Sequence, residues 1–410
     1  SYTFAHKLRP ASRGERGCFF VPLYTFSVSL QKIASSTLWQ LASQGVSLLL
    51  GILSVKLVTL SLSKELVGNY QTVYGYLQIF GIIADFGLYA VSIQELSRAR
   101  DRMALLRVLF VLRGVVTILS LGAALLLAWI IPSFRGTPLP LGITIAAFVP
   151  FFTLLAGMFR TAFQVEFRMK SVFAAEIASR VTTLLLMIGA FLLGVQSSSD
   201  MSMYLLFLLF GSAGGLVLFS LSLFLSLRLP WVRSGLSQVF RPFSALDWQQ
   251  FIRIARLALP YGFAFFATTI YRQTDITLIA FFRADYELQN AYYGTMMRIA
   301  EVGFLLPTFL LNSALPLLST GGVEQGSDGE RARLRGQILL AVLSLGSIVA
   351  SFSYFWSRPI ALLLTQKNYL STALHPGADT ALELLSFSMF LSGVVAYCFY
   401  LLLTMLHWRP

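Results

Sequence analysis

Long apolar runs separated by short polar connections dominate the chain from residue 38 onward. Each run holds roughly 18–27 residues, the length that an α-helix needs to cross about 30 Å of hydrocarbon at 1.5 Å per residue. The pattern therefore predicts an all-α, polytopic membrane protein with about ten transmembrane helices. The predicted spans are residues 38–60, 68–93, 108–131, 139–160, 172–195, 201–227, 257–282, 290–318, 337–357 and 379–406.

The connections group these spans into two lobes. Residues 231–256 carry turn-forming and charged residues and are predicted to be a cytoplasmic linker. The linker separates an N-terminal lobe of six helices, residues 38–230, from a C-terminal lobe of four helices, residues 257–410. Residues 1–37 are predicted to be a cytoplasmic tail. Because the first residue is Ser1 rather than Met, the chain is expected to be a fragment of a longer protein.

Composition supports a membrane location, because 56% of the residues are hydrophobic and 12% are charged. The net charge of +13 does not indicate a nucleic-acid partner, because the basic residues are distributed by side of the membrane. Of the 31 Lys and Arg residues, 23 fall on the side of the N-terminus and the even-numbered connections, and 5 on the other side. The positive-inside rule therefore predicts that both ends of the chain are cytoplasmic.

Motifs for enzymatic or cofactor chemistry are missing from the sequence. Cys18 and Cys398 are far apart, and so are His6, His375 and His407. The chain has no phosphate-binding loop, no zinc-protease motif and no nucleophile elbow. We therefore expect no cofactor, no metal site and no enzymatic activity.

A weak internal repeat relates the two predicted lobes. A shift of 221 residues places Gly68-Asn69-Tyr70 over Gln289-Asn290-Ala291. The same shift places the span that contains Lys56 over the span that contains Arg272 and Asp275. Repeats of this kind are typical of transporters, whose substrate site lies between the repeated halves.

Ionisable residues inside the predicted spans are the candidates for function. Each costs on the order of 2.5–3.5 kcal/mol at the centre of a bilayer, so such residues usually face a cavity or a partner. They are Lys56, Asp85, Glu176, Arg180, Arg272, Asp275, Arg298, Glu301 and Glu383.

Two of the spans carry oppositely charged residues at i, i+3 spacing, Arg272 with Asp275 and Arg298 with Glu301. If the hairpin between these spans is centred near residues 285–287, Arg272 is level with Glu301 and Asp275 is level with Arg298. The four would then form a square of alternating charge. One interpretation is a buried network that fixes helix register. The other is a switch in which an anionic ligand or a proton competes for one arm.

The remaining span charges have different expected roles. Lys56 has no partner across its own hairpin, so it is either an anion site or a lysine that reaches the headgroups. Asp85 has no local counter-charge and is either a neutral acid or a proton-coupling site. Glu176 and Arg180 are spaced i, i+4 and are expected to pair with each other.

Several stretches together resemble the Wzx-type oligosaccharide flippases of the MOP exporter superfamily. They are residues 41–96, 162–181 ("AFQVEFRMKSVFAAEIASRV") and 257–319, and the likeness extends over residues 38–406. Gly68-Asn69-Tyr70 resembles the family's Gly-x-Tyr before the second span. Residues 84–88, "ADFGL", resemble its Ala-Asp-x-Gly-Leu within that span.

The resemblance implies two pseudo-symmetric lobes around a central cavity and a bacterial plasma-membrane location. It also implies flipping of an undecaprenyl-pyrophosphate-linked oligosaccharide by alternating access, coupled to a proton or sodium gradient. Polysaccharide polymerase machinery is a further expected partner. Carried onto this chain, the resemblance makes Lys56, Arg272 and Arg298 the substrate-binding cavity cations. Asp85, Asp275 and Glu301 become the ion-coupling or charge-pairing acids.

One departure from the family and two alternatives accompany this hypothesis. The family usually has twelve or more spans, so either the sequence is truncated and its C-terminal lobe incomplete, or the chain is an unusual variant for which transport itself is open. A MATE-like drug or cation antiporter is the first alternative. A membrane glycan polymerase or ligase is the second, although the longest predicted outer connection, residues 358–378, offers only Arg358, Lys367 and His375 as candidate catalytic groups.

Overall fold

The computed structural model describes residues 23–85, 87–99, 101–193, 200–233, 248–319, 328–373 and 375–405, which form helices and turns without a β-strand. All ten predicted spans fall on helices, and the predicted all-α membrane fold is confirmed. The helices with defined bounds are α1 (Leu23–Ser61), α2 (Lys64–Asp85), α3 (Leu88–Arg98), α4 (Arg102–Ile130), α5 (Leu139–Ala146), α6 (Phe148–Val165), α7 (Met169–Leu192), α8 (Asp200–Ser226), α9 (Trp248–Phe282), α10 (Tyr286–Ser319), α11 (Asp328–Phe355), α12 (Ser357–Leu364) and α13 (Ala378–Met405).

Seven segments of the described chain are long and apolar enough to cross a bilayer. They lie on α1, α4, α5 with α6, α7, α8, α11 and α13. The α2–α3, α9 and α10 segments are not among these seven. These three segments contain Asp85, Asp275 and Arg298.

The predicted second span, residues 68–93, is not one continuous helix. Helix α2 ends at Asp85 and α3 begins at Leu88, with Gly87 between them at φ 71°. This left-handed conformation is strained for residues with a side chain and readily adopted by glycine. Asp85 therefore lies at the end of a helix inside the membrane region. The sequence interpretation had placed it within an uninterrupted helix.

Three other boundaries differ from the sequence interpretation. Helix α1 begins at Leu23, so residues 23–37 of the predicted tail are helical, and residues 1–22 lie outside the described chain. The predicted fourth span divides at Ala147, three residues before Pro150, which cannot donate a backbone hydrogen bond. Helix α9 begins at Trp248, within the predicted linker, whose residues 234–247 are not described.

Polar side chains join neighbouring helices inside the N-terminal lobe. Ser179 of α7 donates to the carbonyl oxygen of Gly214 on α8 at 2.7 Å. Tyr76 of α2 donates to the carbonyl oxygen of Ala124 on α4 at 2.8 Å. Small residues and hydroxyl groups permit close helix packing in membranes, where burying apolar surface gives little driving force.

The two lobes meet where α2 packs against α9 and α10. We call the end of the bundle with the turns at residues 62–63 and 283–285 the hairpin end. We call the opposite end, with Arg102, Lys170 and Arg228, the basic end. Near the hairpin end Gly68 lies against α10, and a Cβ atom there would come within 1.7 Å of the carbonyl oxygen of Glu287. The backbones of α2 and α10, one from each lobe, are thus in direct contact at Gly68 and Glu287.

We predict that Gly68→Ala lowers the unfolding temperature of the purified protein, because the added methyl group would force α2 and α10 apart. Overpacking of this kind costs about 1–3 kcal/mol. Gly122→Ala is the matched control, because no atom lies within 4 Å of a Cβ at that position on α4. Equal melting temperatures for the two variants in a thermal unfolding assay would contradict the proposed backbone contact.

Candidate functional site

A cavity of about 420 Å³ lies between the two lobes. Helices α1, α2, α6 and α7 of the N-terminal lobe form its walls together with α10 of the C-terminal lobe. Its surface combines apolar, hydroxyl, amide and charged groups. The lining residues are Ser47, Leu48, Gly51, Ile52, Ser54, Val55, Tyr70, Gln71, Tyr74, Leu77, Gln78, Val149, Pro150, Thr153, Arg180, Arg298 and Glu301.

Arg298 and Glu301 bring one ion pair to the cavity wall. The Nη1 atom of Arg298 lies 3.3 Å from each carboxylate oxygen of Glu301 on the same helix. The side chains are 30% and 23% exposed. Because charge-assisted hydrogen bonds are usually 2.7–2.9 Å long, this contact is loose, and both groups remain accessible to a ligand.

Arg180 is a second cation at the cavity wall, and its expected partner, Glu176, pairs with other residues. The predicted pair between Glu176 and Arg180 is wrong. Glu176 instead accepts from Nη1 of Arg160 at 2.9 Å and from the hydroxyl of Ser43. The spacing along α7 could not predict this result, because Arg160 and Ser43 lie on α6 and α1.

The packing of α7 explains why Arg180 faces the cavity. Ser179 and Thr183 lie four residues apart on one face of α7, and both contact α8. Arg180 follows Ser179 and is rotated from it by about 100° around the helix axis. The exposed Arg180 side chain therefore points away from the packed face and borders the cavity.

Helix α2 supplies aromatic and amide groups to the same cavity. The rings of Tyr70 and Tyr74 lie 4.8 Å apart, centroid to centroid. Gln71 is 1% exposed, and within the described part of the chain neither its Nε2 nor its Oε1 atom has a hydrogen-bond partner. An unpartnered buried amide is costly unless a ligand or water satisfies it. Nothing in the sequence distinguishes Gln71 and Tyr74, since aromatic and amide residues are ordinary in helices, whereas Tyr70 belongs to the Gly68-Asn69-Tyr70 stretch that carries the family resemblance.

Asp85 has a counter-charge that its own helix does not supply. It pairs with Arg113 of α4, whose side chain is 4% exposed, so the expectation of an unpaired acid is wrong. The pair borders a second cavity of about 290 Å³ in the N-terminal lobe. Tyr89 and Arg160 also line this cavity, with the Arg160 guanidinium 5.9 Å from the Tyr89 ring centroid.

The predicted pair between Asp275 and Arg298 does not form, because the hairpin is centred earlier than expected. Arg283 Nε and Nη2 donate to the two carboxylate oxygens of Asp285 at 2.8 and 2.9 Å and close the turn there. The same hydrogen bonds hold the pKa of the Asp285 carboxyl well below its usual range. Asp275 consequently lies level with Tyr293, whose hydroxyl donates to it.

The square of four charges is thus not assembled from the side chains that the structure describes. Arg298 lies five residues beyond Tyr293, about 7.5 Å further along α10 at 1.5 Å per residue. The backbone of Arg272 belongs to α9, but its side chain lies outside the described atoms. A role for Arg272 in substrate binding stays a prediction.

Lys56 joins the two lobes at the hairpin end and does not border the central cavity. Its Nζ atom donates to the carbonyl oxygens of Thr365 at 2.9 Å and Leu362 at 3.4 Å. These groups lie at the C-terminal end of α12, where the helix dipole favours a cation. The partner therefore comes from the other lobe, and a substrate-binding role for Lys56 stays a prediction.

The two asparagines matched by the internal repeat both lie in the lobe interface. Asn69 Nδ2 donates to Glu287 at 2.9 Å, and the Tyr286 hydroxyl donates to Asn69 Oδ1 at 3.0 Å. Asn290 Nδ2 donates to Thr72 Oγ1 at 2.8 Å. The repeated positions thus hold the lobes together at the hairpin end.

Comparisons with known proteins agree with this architecture. Residues 33–320 match the family model described as "Polysaccharide biosynthesis protein". A solved multidrug resistance MATE family transporter of the MOP superfamily, in an inward-facing conformation, has a TM-score of 0.61 and 16% sequence identity. The match covers 88% of this chain and 83% of that chain. The curated proteins give no match. The structural likeness establishes a common fold.

We predict that Asp85→Asn destabilises the protein by about 3 kcal/mol, because it leaves Arg113 buried without a counter-charge. Asp285→Asn is the control, because it also removes a carboxylate that pairs with an arginine, but this pair lies at an exposed turn. It should change stability little. The free energy of unfolding in mixed micelles would be measured for both variants. A loss of stability for Asp285→Asn that equals the loss for Asp85→Asn would show that burial of the pair is unimportant.

For Lys56→Met we predict faster amide hydrogen exchange in residues 362–370, because the variant removes the cation that binds the carbonyl end of α12. Exchange in residues 102–130 serves as the internal control. Unchanged exchange in residues 362–370, together with loss of substrate binding, would restore Lys56 to the cavity role that the sequence suggested.

Proposed function

Because the chain belongs to the polysaccharide biosynthesis protein family, we propose that it flips an undecaprenyl-pyrophosphate-linked oligosaccharide across the bacterial plasma membrane. The family match and the MATE-like fold are those of MOP-type membrane transporters. Movement runs from the cytoplasmic to the outer leaflet and supplies surface polysaccharide synthesis. The observation that carries the proposal is the cavity between the lobes, which combines arginines with tyrosine, amide and hydroxyl side chains.

The chemistry of the cavity suits the two parts of such a substrate. Arg298 offers guanidinium N–H groups for a phosphate oxygen. Tyr70, Tyr74 and Gln78 offer aromatic surface and hydrogen-bonding groups for a sugar. Among the described lining residues, two arginines stand against one glutamate, so this lining favours an anionic substrate.

The distribution of basic residues orients the transporter. The positive-inside rule places the basic end and the N-terminus in the cytoplasm and the hairpin end outside. The contacts of Asn69 and Asn290 join the lobes on the hairpin side of the cavity, which supports a conformation closed to the outer leaflet. The substrate therefore enters from the cytoplasmic leaflet, and release requires the α2–α10 contacts to open.

Coupling to a proton or sodium gradient would use acids that change partners during this cycle. Asp85 lies at the break between α2 and α3, against Arg113. Asp275 accepts from Tyr293, and Glu301 contacts Arg298 at the cavity wall. All three lie on helices that contribute to the lobe interface, so a change in their charge would act directly on lobe packing.

The two alternative functions have less support from the site. A drug or cation antiporter would favour an acidic cavity, whereas two of the three charged lining residues are basic. A polymerase or ligase would need catalytic groups on the connection at residues 358–378. The backbone carbonyls of Leu362, Leu364 and Thr365 accept hydrogen bonds from α1, which packs this part of the connection against the N-terminal lobe. Polymerase machinery is therefore proposed as a partner that receives the flipped product.

We predict that Arg298→Gln reduces transport at least tenfold, because the variant removes the cation that would hold the substrate's phosphate. The assay is the appearance of lipid-linked oligosaccharide in the outer leaflet of a flippase-null strain. Arg283→Gln is the matched control, since Arg283 is exposed at the turn between α9 and α10. Efflux of cationic dyes without oligosaccharide translocation by the wild type would instead identify a drug antiporter.

A further inference from the structure

Arg180 is a cavity cation that has no counter-charge among the side chains that the structure describes. Both oxygens of the nearby Glu176 carboxylate are occupied, Oε1 by Arg160 and Oε2 by Ser43. Among the residues that the structure describes, no carboxylate lies within 4 Å of the Arg180 guanidinium. Its side chain is exposed and borders the central cavity. An arginine at this depth is costly unless it faces water or a ligand.

Arg298 borders the same cavity from the other lobe. Arg180 stands on α7, eleven residues after its start at the basic end, and Arg298 stands on α10, twelve residues after its start at the hairpin end. At 1.5 Å per residue each lies about 16–18 Å from its end of the bundle, near the middle of the membrane. Both arginines border the same cavity as Tyr70 and Tyr74.

The charge of the cavity is not balanced by its own lining. Glu301 contacts Arg298 through one nitrogen at 3.3 Å, and Arg180 adds a further positive charge. The buried Gln71 amide borders the same space without a hydrogen-bond partner among the described residues. A ligand with anionic oxygens and hydroxyl groups would satisfy both the excess charge and the amide.

We propose that Arg180 of the N-terminal lobe and Arg298 of the C-terminal lobe together bind one oxyanion of the substrate. This inference rests on the proposed function and adds a residue and a geometry to it. A guanidinium group binds phosphate or carboxylate oxygens in a planar, bidentate arrangement. The oxyanion is either a phosphate of the lipid carrier or a carboxylate of an acidic sugar. Because the two arginines belong to different lobes, the bound oxyanion links the lobes across the cavity.

The test measures binding to the purified full chain in lipid nanodiscs. The probes are undecaprenyl diphosphate, the uncharged undecaprenol as the lipid control, and glucuronate as the carboxylate probe. The variants are Arg180→Gln, Arg298→Gln, the double variant and Arg180→Lys. Arg135→Gln is the matched control, because Arg135 is exposed on the connection between α4 and α5, away from the cavity.

We expect each single Gln variant to bind undecaprenyl diphosphate at least tenfold more weakly, with undecaprenol unaffected. The double variant should lose much less than the product of the two single losses, because both arginines bind the same group. Arg180→Lys should recover part of the loss, and Arg135→Gln should bind like the wild type. The same pattern with glucuronate alone would identify a sugar carboxylate as the oxyanion.

Three results would overturn the shared site. Arg180→Gln could bind and transport normally while Arg298→Gln does not, in which case the proposed function stands without it. Losses that multiply in the double variant would show two separate anions. Absence of binding of both charged probes to the wild type would also overturn it. The proposed function fails separately, if the wild type does not restore oligosaccharide translocation in the flippase-null strain.

Discussion

An ionised side chain inside a bilayer is costly unless it meets an opposite charge, a hydrogen-bond donor or acceptor, or water, and this constraint organises the structure. Asp85 pairs with Arg113 and Glu176 pairs with Arg160, in both cases between different helices. Lys56 binds carbonyl oxygens at the end of α12. These contacts fix how the helices pack, and among the described side chains Arg180 and Arg298 are the cations that border the central cavity.

Helix α2 connects the features that matter for transport. At the hairpin end its glycine and asparagine contact α10 and hold the lobes together. In its middle it lines the cavity with Tyr70, Gln71 and Tyr74. At its other end it stops at Asp85, beside the positive φ of Gly87. The contact with the other lobe, the cavity lining and the helix break thus lie on one helix.

The two lobes contribute unequally to the cavity as the structure describes it. The N-terminal lobe provides most of the lining, including Arg180 and the tyrosines, whereas Arg298 and Glu301 are the contribution of the C-terminal lobe. A ligand that contacts both sets stabilises one relative position of the lobes more than another. Differential binding of this kind is what allows a substrate to drive a conformational change.

The sequence by itself determined the helices, their approximate ends and the division of charge between the two sides, because these depend on local hydropathy and on loop composition. The repeat also aligned Asn69 with Asn290, and in the structure each of them donates a hydrogen bond to the other lobe, Asn69 to Glu287 and Asn290 to Thr72. Only the tertiary structure decided which charges meet. The partners of Asp85, Glu176 and Lys56 lie 28, 16 and 309 residues away. A turn centred only a few residues earlier than expected was enough to replace Arg298 by Tyr293 opposite Asp275. Helical spacing specifies the face of one helix, whereas pairing depends on the rotation and depth of two helices, which are set by packing across the whole bundle.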